Sequence, residues 1–347
     1  MAVDLSKIAV KRKILLDELN SRTVAIDAYN MLYQFLSIIR QPDGTPLVDS
    51  KGNVTSHLSG LFYRSIDLIS KGISLVYVFD GIPSLLKQRA IEARVRKRAE
   101  AYASWQEAVK EGNIEEARVH AQASTRIDKS IVESAKTLLG FMGIPYVNAP
   151  SEGEAEAVHI CKQGLAYAVV SQDYDVLLLG ADKTVRNIAI SGKRKLPRKN
   201  VYISVEPEMV DLNETLKSNG VTQEQLIWIG IMLGTDFNEG IKGIGPKTAL
   251  KIAKKANSLE EVEKIIKEEY KQEFDVDIKE VRDLFANPEV KDVDPSSIKQ
   301  SHSINKEAII KFMCEDHEFS EERISKYIEM LKSKVNGAHQ KTIGSWL

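Results

Sequence analysis

Three apolar runs in this chain lead into aspartate, and helical stretches separate them. TVAID (23–27), SLVYVFD (74–80) and AYAVVS (166–171), which continues into QDYD, are rich in β-branched and aromatic residues and read as buried strands. Strands alternating with amphipathic helices predict an α/β fold with a largely parallel central sheet flanked by helices. In such sheets ligands bind beyond the carboxyl ends of the strands. The pattern therefore places Asp27, Asp80, Asp173 and Asp175 on one rim.

More acid converges there. The stretch 150–175, PSEGEAEAVHICKQGLAYAVVSQDYD, adds Glu152, Glu154 and Glu156 around the third strand. Glu152 and Glu154 open a helix after the short strand IPYVN and face the same rim. Asp236 closes the helix VTQEQLIWIGIMLGTD, which Thr222 can cap. Like charges this close raise one another's pKa, so a positive partner is expected. No Cys or His cluster accompanies the acids, so hard, oxygen-seeking Mg²⁺ or Mn²⁺ fits best. A solvated acidic loop is the bland alternative, and the strand-end placement weighs against it. Such a rim would suit two divalent ions about 4 Å apart, the arrangement used for in-line phosphodiester cleavage. No P-loop lysine, GxGxxG or Ser-His-Asp set competes.

Composition limits the alternatives. At 347 residues the chain exceeds a typical single domain, and 43% hydrophobic with 28% charged residues describes a globular protein with ample core. The net charge of −1 conceals segregation: basic residues gather at 87–98 and 193–199, acids at 150–175 and 258–283. Cys161 and Cys314 are too few for a disulfide framework or a metal knuckle, which suits a reducing compartment. Neither an 18-residue apolar run nor a signal peptide is visible, so the expectation is a cytoplasmic protein without membrane contact.

Along the chain, residues 8–19 predict a short amphipathic helix. AYNMLYQFLSIIR predicts a helix with Leu32, Phe35, Leu36 and Ile39 on its apolar face, and 41–55 a loop or small hairpin. Residues 81–130 are charged, helical in propensity and poor in large apolar residues, with a break at 112–113. Two readings stand for that segment: a solvated helical hairpin held by Glu–Arg pairs, or a basic stripe of Lys87, Arg94 and Arg98 suited to phosphates. GIKGIGPKTAL (240–250) predicts a helix-hairpin-helix turn. Gly243 and Gly245 would let backbone N–H groups approach a phosphate at a helix N-terminus, beside Lys242, Lys247 and Lys251.

Taken together, VAIDAYNMLYQFL, TSHLSGLFYR, VYVFDG, GIPYVNAPSEGEAEA, SQDYDVLLLG, LGTDFNEGIKGIGPKTA and FSEERI resemble the archaeal-type flap endonucleases of the XPG-type 5′-nuclease family. The resemblance runs through nearly the whole chain. It implies a metal-dependent phosphodiester hydrolase acting on 5′ flaps, with 5′-3′ exonuclease activity, in DNA replication and repair. It implies that Asp27, Asp80, Glu152, Glu154, Asp173, Asp175 and Asp236 hold two Mg²⁺ ions, which Mn²⁺ can replace, with Glu156 outside the set. Lys87 and Arg94 match a catalytic basic pair on a helical arch at about 81–130. Tyr33 matches an aromatic near the branch point, and Arg40, Arg64, Gly243, Gly245 and Lys247 are expected to bind DNA. The hairpin turn is similar to a K⁺ site in relatives.

The tail QKTIGSWL resembles a sliding-clamp (PCNA) binding box anchored by Gln340, Ile343, Trp346 and Leu347, with Leu347 where a second aromatic is common. Ala2 stands where the family usually carries Gly. The expected organisation is a nuclease core over 1–255, with its hairpin motif at 236–255. A C-terminal helical region at 256–335 and a flexible tail at 336–347 follow. The protein is expected to be a monomer acting on branched DNA (5′ flap, nicked or gapped duplex). A clamp-tethered, non-catalytic DNA scaffold would keep the arch and hairpin yet would not need every acid. Bubble-cutting relatives carry long insertions that this chain lacks.

Overall fold

The computed structural model describes residues 3–189, 192–195, 202–299 and 304–343. For residue 89 and for 192–195, 202–204 and 333–343 it describes the backbone only. The strands are β1 (Lys11–Lys13), β2 (Thr23–Asp27), β3 (Ser74–Phe79), β4 (Tyr146–Asn148), β5 (Ala168–Val170), β6 (Lys183–Arg186), β7 (Gly192–Lys195), β8 (Tyr202–Val205) and β9 (Glu208–Asp211). Seven form one sheet in the order β1-β9-β6-β5-β2-β3-β4, and β7 pairs with β8 in a separate antiparallel ribbon. The pairs β5–β6, β2–β5, β2–β3 and β3–β4 are parallel. The pairs β6–β9 and β1–β9 are antiparallel, so the sheet is mixed at one edge.

The order carries functional information. The chain lays down β2, β3 and β4 in one direction, then returns to place β5 and β6 on the other side of β2. The reversal makes a topological switch point beside β2, where open α/β sheets form their ligand crevice. Both faces of the strands are apolar, and alternate residues serve opposite faces. Ala25, Val76, Val78 and Val169 join one core, while Val24, Ile26, Leu75, Tyr77, Phe79 and Val170 join the other.

The face that carries Tyr77 and Phe79 is covered by helices α1 (Ala28–Ile38), α2 (Ser56–Ser70) and α5 (Lys129–Phe141), which bring Phe35, Leu61, Phe62 and Leu138 into the same cluster. Between β3 and α5 lie α3 (Lys87–Lys110) and α4 (Ile114–Ala123), packed on each other across a turn in which Gly112 takes φ +70°. The opposite face holds α6 (Gly153–Lys162), the short α7 (Asp175–Leu178), α8 (Leu212–Asn219), α9 (Gln223–Leu233), α10 (Pro246–Lys255), α11 (Leu259–Glu269) and α12 (Ile278–Ala286). Near the end of the chain, α13 (Lys306–Ile310) runs into a π-helical turn at Lys311–Asp316, and α14 (Glu321–Ile343) packs on α2.

One local expectation is revised. Residues 8–19 do not form one helix: Lys11–Lys13 pair as an edge strand with β9, and only Leu16–Leu19 take a 3-10 turn. The edge offers unpaired backbone groups that a short, charged strand can satisfy. The backbone of α14 is helical to Ile343. Residues 41–55 make a small hairpin-like loop, with bridges Arg40–Pro46 and Val48–Val54. Among the described residues no helix is long and apolar enough to cross a membrane.

Candidate active site

Each acid reaches the rim by a different local device. Asp27 ends β2 and caps α1, accepting from the Asn30 backbone N–H at 2.9 Å. Asp80 follows β3 and accepts from the Gly153 N–H at 2.8 Å. Glycine is required between Glu152 and Glu154, because a Cβ at Gly153 would lie 2.6 Å from the Asp80 carboxylate. Glu152 takes the N-cap position of α6 and Glu154 its first turn, where negative charge meets the positive end of the helix dipole. Asp173 and Asp175 follow β5, and Asp175 accepts from the Val3 N–H at 2.8 Å. Asp236 sits in a tight loop after α9. Gly234 (φ +92°) approaches Gly240 there too closely to carry a side chain, and Asn238 ties the loop to the Ile231 carbonyl at 2.8 Å.

Residues that the sequence reading did not single out hold these acids together. The Asn30 amide donates to Asp173 at 2.9 Å, while its oxygen accepts from the Gln172 N–H at 3.2 Å and from Gln34 at 2.9 Å. Ser171 donates to Glu154 at 2.8 Å and lies 3.5 Å from Asp27. The motif VAIDAYN carries Asn30 in plain view. Only the pairing of β2 with β5 shows that it spans two strands.

From the other side, α3 lowers two cations into the acids. Lys87 ion-pairs with Glu152 and lies 4.0 Å from Asp236, while Arg94 ion-pairs with Asp236. A cleft of about 700 Å³ separates α3 and α4 from the rim. Asp27, Asp80, Glu152, Glu154, Asp173 and Asp236 line it, as do Tyr33, Lys87, Arg94, Lys97 and Arg98. Arg98 lies 6.0 Å from the centre of the Tyr33 ring. The expected basic stripe therefore faces the acids and is not a merely solvated surface.

The electrostatics are those of a site short of positive charge. Burial, then the neighbouring Asp80, push Asp27 up to about 7. Burial, then Asp236, do the same for Asp175. Asp80, Asp173 and Glu154 are also raised, burial being the main cause in each. Burial pushes Asp236 upward too, yet neighbouring positive charge, the Arg94 guanidinium foremost, holds the carboxyl below its ordinary value. Burial opposes the charge on Lys87 and Arg94, and the acids around them more than offset it.

Among the described residues no three acids surround a point closely enough to hold an ion as they stand; Lys87 and Arg94 supply the positive charge. The donor set nonetheless fits hard divalent cations. It is all oxygen, several members are too buried to ionise freely, and Glu152 Oε1 is buried without a partner.

A pH dependence follows from the two acids raised to about 7. Each holds its proton more tightly in the folded than in the unfolded chain, so the folded state binds more protons between about pH 4 and 7. Stability of the metal-free protein should therefore fall as pH rises through that window, by up to about 1.4 kcal/mol per pH unit for each group. Melting temperatures in chelator should show this decline, and Asp27→Asn should flatten it. Parallel curves for the two proteins would rule out the burial effect at Asp27.

Other expected site residues fall in different places. Gly243 takes φ +85° in the turn before α10, Gly245 caps that helix and Pro246 begins it. Ile241 and Ile244 are buried beneath the turn, while Lys242 and Lys247 are exposed. Arg40 donates to the Leu36 and Gly44 carbonyls at 2.7 Å and to Thr125 at 2.9 Å. Arg64 donates to the Ile188 carbonyl at 2.5 Å and ion-pairs with Asp67. Both guanidinium groups are partly buried and make these contacts within the protein. Glu156, the acid outside the set, is 1% exposed and accepts from the Lys291 N–H at 2.9 Å. Ala2, Trp346 and Leu347 lie outside the described residues. Gln340 and Ile343 fall in the last turns of α14, where only the backbone is described.

Fold and site define an XPG-type nuclease: a doubly wound sheet with carboxylates at its switch point, beneath a basic helical hairpin. The family model of the XPG N-terminal domain matches residues 2–101, and that of the XPG I-region matches 143–236. Flap endonuclease 1 of Thermococcus onnurineus is 47% identical over 347 residues, covering 100% of this chain and 99% of that protein. The solved flap endonuclease-1 from Methanococcus jannaschii superposes with a TM-score of 0.74 at 36% identity, covering 97% of this chain and 99% of that one. The catalytic core of Rad2 in complex with DNA substrate shares the fold at 23% identity, with a TM-score of 0.69 over 95% of this chain and 100% of that one. The chain belongs to the flap endonuclease 1 family.

Proposed function

We propose that this protein is a structure-specific 5′ flap endonuclease, with 5′-3′ exonuclease activity, that hydrolyses the phosphodiester at the base of a 5′ flap in DNA replication and repair. The observation that carries the reading is the meeting of the strand-end acids with Lys87 and Arg94 across one cleft. Asp27, Asp80, Glu152, Glu154, Asp173, Asp175 and Asp236 would hold two Mg²⁺ ions, or Mn²⁺ in their place. When bound, such ions activate a water and neutralise charge on phosphate oxygens.

The chain's own residues do the rest. Lys87 and Arg94 offer fixed positive charge to the phosphate entering the cleft, and Asn30 and Ser171 keep Asp173 and Glu154 oriented. Tyr33, on the cleft wall, offers a ring to a base beside the branch point. The turn at Gly243–Gly245 offers backbone N–H groups and Lys247 to the duplex backbone, a place where K⁺ would also fit. Substrate class is tested with labelled double-flap, nicked and bubble DNA in Mg²⁺: the double flap should be cut fastest. Failure to cut it, or faster cutting of the bubble, would overturn the reading.

The tail is read as a tether to a sliding clamp. Trp346 follows a small, polar stretch, and an aromatic there gains most by filling a partner's pocket. Deleting 340–347 should abolish stimulation by the cognate clamp and leave basal cleavage nearly unchanged. Equal stimulation of the truncated protein would exclude the tether.

A further inference from the structure

A second cavity, of about 390 Å³, adjoins the acid rim. It shares Lys87, Glu152, Glu154 and Asp236 with the catalytic cleft, so one wall is the reaction site itself. The remaining walls are mostly apolar. Phe237 and Phe285 meet edge to face at 5.4 Å, and Leu284 and Pro288 extend that surface. The segment 82–85 also lines the cavity, fastened by Gly81 N–H to the Ser151 carbonyl at 2.7 Å and Ile82 N–H to the Pro150 carbonyl at 3.2 Å. A Cβ at Gly81 would lie 2.1 Å from the Ala149 carbonyl, so only glycine permits this approach. Ile82 and Leu85 there are each 81% exposed, unusual for large aliphatic side chains.

Two buried polar atoms of lining residues lack partners: Ser84 Oγ and Glu152 Oε1. The wall carrying Pro288 is held in place deliberately. One side of α6 supplies Glu156 to the Lys291 N–H, Gln163 to the Val293 N–H at 3.2 Å, and His159 to Asp292 at 2.7 Å. Glu156, which has no place among the rim acids, thus braces the cavity wall from the same helix that presents Glu152 and Glu154.

We propose that this cavity seats one nucleoside unit of the cut strand, the base and sugar adjoining the scissile phosphate. Its size is near the lower end for small-ligand cavities, about 300–1,000 Å³, which suits a single unit. Its walls suit a flat, largely apolar ring, and Ser84 Oγ supplies the hydrogen-bonding group such a ring needs. Because the polar wall is the acid rim, an occupant joined to a phosphate at the rim needs no further linker. Any base presents an aromatic face, so the pocket holds without reading sequence.

This inference rests on the nuclease reading, and the experiment separates the two. Single-turnover cleavage is measured on double flaps carrying an abasic residue at either position flanking the scissile phosphate, for the wild-type protein, Ser84→Phe and Leu85→Ala. At one position the abasic residue should slow the wild-type protein on the order of tenfold. Ser84→Phe, which fills the cavity, should slow cleavage of intact DNA comparably and make the abasic residue nearly neutral. Leu85→Ala, a change at an exposed side chain that leaves folding intact, should reduce the abasic effect in part. No abasic effect at either position, or effects that multiply independently in both variants, would overturn the proposal. Intact double flap left uncut by the wild-type protein would instead reject the nuclease reading, and this inference with it.

Discussion

Asp175→Asn should lower cleavage of a double-flap substrate by several orders of magnitude while leaving the metal-free fold as stable as before, or more so. Asp175 is 5% exposed, burial and Asp236 push it up to about 7, and its carboxylate accepts from the Val3 N–H. An asparagine keeps an oxygen for Val3 and removes the charge that Asp236 repels. Function and stability should therefore move in opposite directions, as expected of a group kept for ligand binding at a cost to the fold. Mg²⁺ stabilises the folded state by mass action, so its effect on melting temperature should shrink in the variant. Quenched-flow turnover and thermal melts with and without Mg²⁺ measure both sides. Near-native turnover at saturating Mg²⁺ would end the metal assignment at this position.

Lys87→Ala and Arg94→Ala should each cut the single-turnover rate on the order of 10²–10³-fold, the usual loss when a preorganised charge-stabilising group is removed. Duplex affinity should fall much less, because the hairpin turn and Tyr33 remain. Stability should respond with the opposite sign to Asp175→Asn. In the metal-free protein Lys87 and Arg94 neutralise Glu152 and Asp236, all four being mostly buried, and removing either cation strands an acid. Both variants should therefore melt below the wild-type protein in chelator, and Mg²⁺ should narrow the gap. Unchanged rates in both would return α3 to the role of a solvated helix.

Together these expectations describe a site in which one set of acids answers to two kinds of positive partner. Without metal, the cations of α3 fill part of the deficit. With metal and DNA, on the proposed reading, they would be free to serve the phosphate. Gly153 shows how closely the arrangement is built, since even a methyl group there would displace Asp80.

Much of this was legible in the chain itself. Apolar runs ending in Asp27 and Asp80, acids opening α6, and a glycine pair before Pro246 are local patterns. Strand and helix periodicity report such features within a few residues. The same periodicity revealed α3 and α4 as helices too polar for a core. Only the tertiary structure showed where those helices point. Arg94 meets Asp236 across 142 positions of sequence and Lys87 meets Glu152 across 65, distances over which no local pattern carries information. Asn30 bridges β2 and the loop after β5 because the sheet order makes those strands neighbours. The carbonyls that Arg40 and Arg64 donate to, those of Leu36, Gly44 and Ile188, are likewise visible only in the fold. Residues 8–19 carry a helical pattern, yet Lys11–Lys13 form a strand because β9 offers an open edge. Local chemistry chose the elements and their acidic ends. The switch in strand order, set by long-range packing, turned those ends into one site.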